Sequence, residues 1–470
     1  MALREMTPEV RNHFETLAAA ESGFLKRLFV SDQWLAIVTA IGRSRVPTAI
    51  PGLMAYAFAG PASLQRAARE AIDTLISSIS PGDFPAFDQR MRAGGNACDR
   101  SWWEFKPSAV SRYAAGQHAV TMLGLFTSHS SGYVREEAVK QLAGIHDGRE
   151  FAFLFVRLND WVEAVRRRAA TAVTERVQSA NVVMLVRHLP LILRGETWGR
   201  GEIVPIVDSI VRLVIAPENE AALRIGLGSP EPQLSRACAR VLTRLDEKGA
   251  GSLLQVAMQS GDAWVRFRAA QRSLQLVPDE RLPELCGEIE RDRATPMRRL
   301  ALQTLAERVP TLAEAPLHRA LLDRHPAVRE LANYYLRSRG NFDSRAFYLD
   351  VLTSDASKRA IALRGLGETG QPEDVEAVRP YLSVNEAPLR KAGLAAAGRL
   401  SPGSVIPELL AALQDESPGI SQTGARALAS QVQMISAADF DGMLHPAARH
   451  TSEKTQWAWL YEPGNGIAWR

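Results

Sequence analysis

The sequence predicts an all-α fold, a solenoid of stacked helix pairs, on three observations. A short pattern of an apolar residue, usually an arginine, and then a small residue recurs as GYVREEAV (132–139), WVEAVRRRAA (161–170), DAWVRFRAA (262–270) and HPAVRELA (325–332). With the apolar residue as position zero, the pattern falls at Val134, Val165, Val265, Met297, Val328 and Leu389, and more weakly at Ile203, Leu234, Lys358 and Ile420. Eight of the nine successive spacings lie within one residue of 31, and the ninth, 38, contains RGETWGRG (194–201).

Each unit resolves into two helices. Four residues after position zero the side chain is small or apolar (Ala138, Ala169, Val207, Cys238, Ala269, Ala301, Ala332, Ala362, Gly393, Gly424). Eight residues after, it is mostly large and apolar, as at Leu142, Val173, Leu305 and Leu428. Positions 0, 4 and 8 share one face of a 3.6-residue helix, and the small middle residue admits a close neighbour. A second apolar helix, such as SVIPELLAALQD (404–415), precedes most copies. One such pair cannot bury both apolar faces, so the pairs must stack.

This pattern resembles the HEAT repeat, in its short phycobilisome-lyase-type form. The residues that carry the likeness are Asp262, Val265, Arg266 and Ala269, and the V/L-R pairs at 134–135, 165–166, 328–329 and 389–390. The resemblance covers roughly 108–430 and implies a right-handed, elongated and curved α-solenoid whose second helices line the concave side. It is specific for fold and says almost nothing of function.

The ends depart from the period. QWLAIVTAI (33–41) fits it through Gln33, Ile37 and Ile41, and ASLQRAAREAI (62–72) through Leu64, Ala68 and Ile72. Between 73 and 107 the prolines, paired glycines and aspartates of SPGDFPAF and RAGGNACDRSWWEFKP predict an irregular insertion. The expected organisation is a helical cap with a tryptophan-bearing insertion (1–107), the repeat array (108–430) and a capping segment (431–470) clamped by Trp457, Trp459 and Trp469.

Composition narrows the class. Fifty-six basic and 52 acidic residues leave a net charge of +4, too little to imply nucleic acid alone. Three distant cysteines, Cys98, Cys238 and Cys286, exclude a disulfide framework and fit a reducing compartment. The charged N-terminus is not a secretory signal, and no apolar run reaches the roughly 18 residues of a membrane span. A cytoplasmic protein is expected.

No catalytic, metal or cofactor motif stands out. The nine histidines share no period with the repeat, and there is no HExxH, phosphate loop or GxSxG elbow. Di-iron hydroxylases built on this repeat carry His-Glu pairs, and this chain has none. The HEAT-like alkylpurine DNA glycosylases set an Asp among aromatics on a basic surface. Asp160–Trp161 and Asp262–Trp264 resemble that set, but they start second helices rather than line an inner face.

Arginine recurs at position +1 (135, 166, 266, 298, 329, 359, 390), where pairing with turn acids such as Asp262, Asp355 and Glu386 would build a ladder between repeats. Positions +2 and +6 point away from the core at about 200° and 240°. They hold Lys140, Arg167, Arg236, Arg240, Arg299, Arg364, Lys391 and Arg426 against only Glu136 and Glu330. Four of these, Arg167, Arg236, Arg299 and Lys391, are expected in a first helical turn, where the dipole disfavours cations. The expected function is a non-catalytic scaffold gripping an acidic protein segment on this stripe, with no metal and no membrane. The alternative is a nucleic-acid binder using the same cations, and a glycosylase comes after that. Trp102 and Trp103 either anchor a partner or fold back over the solenoid edge.

Overall fold

In the computed structural model, residues 3, 5–21, 32–59, 61–93, 102, 104–244, 247–429 and 431 are described, and among them there are helices and short 3-10 turns but no strand. The chain divides into two compact units, Met1–Ser273 and Leu274–Arg470, a division that falls inside the predicted array. Trp103, Cys98 and the three C-terminal tryptophans lie outside the described residues.

Among the described residues, six helices open the first unit: α1 (Pro8–Glu21), α2 (Asp32–Arg43), α3 (Ile50–Phe58), α4 (Ala62–Ser77), α5 (Phe84–Ala93) and the short α6 (Pro107–Val110). The helix pairs follow. The first helices are α7 (Ala119–Phe126), α9 (Phe151–Val156), α11 (Val182–Ile192), α13 (Glu220–Leu227) and α15 (Glu247–Met258). The second helices are α8 (Gly132–Ala143), α10 (Glu163–Glu175), α12 (Ile203–Val214), α14 (Pro232–Leu242) and α16 (Ala263–Leu276).

In the second unit the first helices are α17 (Leu282–Ile289), α19 (Glu314–Ala320), α21 (Ser344–Ser354), α23 (Val375–Val378) and α25 (Ile406–Leu413). Their partners are α18 (Thr295–Arg308), α20 (Pro326–Arg339), α22 (Arg359–Thr369), α24 (Ala387–Leu400) and α26 (Pro418–Leu428). Second helices pack side by side in α8 on α10 within the first unit, and in α18 on α20 and α22 on α24 on α26 within the second.

The buried face follows the repeat. All ten +4 residues are buried, from Ala138 to Gly424. Position zero is buried in most copies, but Leu234 and Leu389 are only half-buried and Lys358 is exposed. The weak copy at Lys358 therefore begins its helix one residue later, at Arg359.

Two expectations for the N-terminal region need correction. In α2 the buried residues are Trp34, Val38, Ile41 and Gly42, so the helix is turned from the predicted Gln33–Ile37–Ile41 face. A Cβ on Gly42 would stand 2.8 Å from Ala71 Cα, so α2 and α4 pack nearly backbone to backbone. The stretch expected to be irregular contains a 3-10 turn (Pro81–Asp83) and α5. Phe84, Phe87 and Met91 recur at helical spacing and are buried, with the Phe84 ring 5.3 Å from Phe153 of α9. Proline at the start of a helix satisfies its geometry rather than breaking it.

The same segment makes a long-range contact no repeat predicts. Ser80 donates to the Glu231 carboxylate, and Gln233 Nε2 donates to Asp83 at 3.2 Å, tying the turn to the start of α14.

Close approach in the second unit yields a prediction. A Cβ on Gly365 would lie 2.2 Å from the Tyr348 ring, which is 1% exposed and held by its hydroxyl donating to Leu321 O at 2.9 Å. Gly365→Ala should therefore destabilise the protein by about 1–3 kcal/mol through overpacking, read by urea denaturation. No change in midpoint would mean that α21 slides freely over α22.

Candidate functional site

The +1 arginines and the +2/+6 stripe leave the same helices in adjacent directions, and the structure gives them different fates. In six of the seven +1 residues, one guanidinium nitrogen donates to the backbone carbonyl six residues earlier, at 2.6–3.0 Å. Those carbonyls, of His129, Asp160, Ser260, Asp292, Asp323 and Val384, lie in the turn between the paired helices. Arg359 instead reaches Leu352 O, 3.2 Å away in the last turn of α21.

The ladder exists, but its acids are not the expected ones. Arg135 binds Asp160 through two nitrogens at 2.8 and 2.9 Å, Arg298 binds Asp323 at 2.7 and 2.8 Å, and Arg390 binds Asp415 at 2.6 Å. Each acid lies 25 residues on, in the turn of the following repeat. Its other role is local: Asp160, Asp323 and Asp415 accept the backbone N–H two residues ahead at 2.7–3.0 Å. One carboxylate thus shapes its own turn and clamps the preceding repeat. Burial alone would raise the Asp323 carboxyl, but the Arg298 guanidinium and the His325 amide hold it below the usual range. Arg329 meets Ser354 at the 25-residue step and instead pairs with Glu368 of α22.

Of the acids expected in the ladder, Asp262 pairs with Arg236 and Asp355 with Lys358, while Glu386 is in no ion pair among the described residues. The Ser357 hydroxyl and Lys358 bring the Asp355 carboxyl down to about 2.

Asp160 is the most enclosed of these groups. Beyond Arg135 it receives Arg157 and Arg92, each at 3.1 Å, and Arg157 also pairs with Asp88. Burial lifts the Asp88 carboxyl above its ordinary value despite the Arg92 charge. Trp161 roofs this network with Arg92 and Arg135 at 4.6 and 4.9 Å from its ring. A carboxylate held on three sides by guanidinium groups has no free lone pair to activate water. Asp262 is likewise occupied, by Arg236 and the Trp264 amide.

The stripe separates into two sets. In the first unit every cation of the stripe is paired: Lys140 with Glu137 (3.3 Å), Arg167 with Glu163 (3.4 Å), Arg236 with Asp262 (2.8 Å) and Arg240 with Glu196 (3.2 Å), which Arg244 shares. Glu196 comes from the 194–201 insertion, where Trp198 packs on Phe155 at 5.6 Å. In the second unit Arg299, Arg364, Lys391 and Arg426 have no carboxylate partner among the described residues. Arg364 is half-buried and the other three are exposed. Arg167, Arg236, Arg299 and Lys391 are each the fifth residue of their helix, so the dipole cost expected for the first turn has largely faded.

The two local pairs, Glu163–Arg167 and Glu137–Lys140, follow from helical spacing and were legible in the sequence. Glu196 had no such signal.

Trp102 does not present an anchor. It is 4% exposed, stacks on Phe126 at 5.3 Å, and sits among Phe58, Phe105 and His129. His129 Nε2 donates to Trp102 O at 2.7 Å while Nδ1 accepts from the Ser131 amide at 3.0 Å, so the ring is neutral. Burial pushes its pKa down accordingly. Trp102 therefore closes an edge by folding back, because its large apolar area is better buried than offered to water.

Among the described residues no cluster of three or more His, Cys, Asp or Glu could hold a metal, and no helix is long and apolar enough to cross a membrane. Cys238 and Cys286 are free and buried, and burial pushes both thiols up to about 12.

No family model and no curated protein matches the chain. Among solved structures it is similar to YibA of E. coli at 17% identity, over 62% of this chain and 94% of that one, with a TM-score of 0.23. It is also similar to Kap121p at 12% identity over 97% of this chain, with a TM-score of 0.34, and spans 56% of that protein's length. A further structure of that karyopherin, bound to Nup53p, matches at 12% identity and a TM-score of 0.34.

Proposed function

We propose that the protein is a non-catalytic adaptor that binds an acidic segment of another protein through the outward cations of its second helices. The observation that carries this reading is that Arg299, Arg364, Lys391 and Arg426 have no carboxylate partner among the described residues, while the other arginines of their helices hold internal ion pairs or, for Arg359, a backbone carbonyl. Four unpaired cations on one layer favour an anionic partner, and the small net charge favours a carboxylate one over a polyphosphate. Tyr334 is the single aromatic exposed on the stripe in the second unit, which is few for stacking single-stranded bases. The buried free thiols fit a cytoplasmic setting.

Titrating the protein against an acidic peptide and a short duplex DNA at increasing salt tests this. The expected result is peptide binding that weakens modestly with salt. Tighter binding to the duplex, with a log–log slope of about −0.9 per neutralised phosphate, would establish nucleic acid as the partner instead.

A further inference from the structure

We infer that the acidic partner docks on the second unit alone, across α22, α24 and α26, as an extended peptide bearing carboxylates about three to four residues apart. This rests on the adaptor reading above and specifies its site and ligand. In the first unit a docking carboxylate would have to displace Glu137, Glu163, Asp262 or Glu196 from a cation it already holds. In the second unit no carboxylate among the described residues must be displaced.

The spacing follows from how closely these three helices pack. A Cβ on Gly367 of α22 would lie 2.7 Å from Ala396 Cα of α24, and one on Gly398 of α24 would lie 2.5 Å from Ala427 Cβ of α26. Glycine and alanine at both contacts put the axes near the short end of the usual range, about 8 Å apart. Those contacts set position +9 of one helix level with +7 of the next, so Lys391 at +2 lies about 3 Å along the axis from Arg364 at +6 and about 9 Å from Arg426 at +6. Successive cations are then about 9 and 12 Å apart, the rise of three and of four residues of a polyproline II strand.

Lys391 marks the centre of this site. Its ammonium lies 3.2 Å from where a Gly419 Cβ would stand, beside the second residue of α26. The ammonium and the N-terminal turn of that helix are both electropositive, no carboxylate among the described residues pairs with the ammonium, and Asp415 just before the helix is held by Arg390. The acid nearest this face on α22, Glu368, is already held by Arg329 and Arg399.

The test uses the full chain and a fluorescein-labelled peptide with successive glutamates three and four residues apart in an alanine–proline background, with a control peptide carrying the same glutamates in one block. Anisotropy should show the spaced peptide binding better than the block. The variant Arg364→Glu/Lys391→Glu/Arg426→Glu should lose about tenfold or more in affinity, and Arg167→Glu/Arg236→Glu/Arg240→Glu should change it little. Gly419→Asp is the second arm. It removes no cation, its Cβ meets only the flexible Lys391 tip, and its carboxylate should occupy Lys391 and weaken binding while the fold survives.

If the first-unit variant abolishes binding and the second-unit variants do not, the adaptor reading stands and this site is wrong. Equal binding of the two peptides overturns the spacing. If neither peptide binds the wild type, both the site and the adaptor reading fall. Should the triple variant unfold in a circular dichroism melt, Gly419→Asp alone decides the site.

Discussion

Replacing Asp160 by alanine should destabilise the protein by about 3–5 kcal/mol, the range for breaking a buried ion pair by removing one partner. The Asp160 side chain is 0% exposed, and so is that of Arg135. With Asp160 gone, Arg135 would keep only the carbonyls of His129 and Ser130, and Arg157 would keep Thr127 O and Asp88. The Val162 amide would also lose its acceptor at the start of the following turn. Urea denaturation monitored by circular dichroism should show the midpoint falling with little change in slope. Lys140→Ala, at an exposed pair, should shift stability by no more than about 0.5 kcal/mol. A loss below about 1 kcal/mol for Asp160→Ala would show that water replaces the carboxylate and that the ladder is not buried in solution. Asp160→Asn, which keeps the shape and loses the charge, should fall between the two.

Acidification should cost the fold about 3 kcal/mol between pH 6.5 and 4 through His188 alone. Burial lowers this imidazole to about 4, although the ring is 7% exposed and donates through Nδ1 to Met184 O at 2.8 Å. The unfolded side chain titrates near its ordinary value, so within that window the unfolded state binds the proton and the folded state does not. Stability therefore rises with pH across the window and is lost as pH falls. His129 shifts in the same direction and adds to the loss. Asp88 acts oppositely, since its raised carboxyl takes a proton first in the folded state and favours that state at low pH. The acids held below their ordinary value, such as Asp323, give up their contribution only at lower pH still. Denaturation curves at pH 7, 5.5 and 4 should show this slope in the wild type, and His188→Asn should flatten it. An unchanged slope in the variant would place the titration elsewhere.

Much of the architecture was legible because helical repeats write themselves as periodicity. Residues that must face a core recur at 0, 4 and 8, and the all-buried +4 series from Ala138 to Gly424 is the direct result. The +1 ladder was legible as a row of arginines, and the aspartates 25 residues on are visible in the sequence once the connection is known. Neither helix α5 nor the pairing of Arg236 and Arg240 was legible. The Pro- and Gly-containing segment before Phe84 carries loop chemistry, and only the pocket beside Phe153 makes its aromatics a buried helical face.

By itself the sequence determined the fold class, the core face of nearly every second helix and the outward direction of its cations, because these depend on the 3.6-residue period and on which side chains avoid water. Which of those cations remain free was decided only by the tertiary structure. Glu196 reaches Arg240 from an insertion 44 residues away, Asp262 is taken by Arg236 rather than Arg266, and Trp102 turns inward against Phe126. The physical reason is that a charge on a helix surface is neutralised by whatever acid the packing brings within about 4 Å, and that distance is set by chain segments whose separation in sequence carries no period.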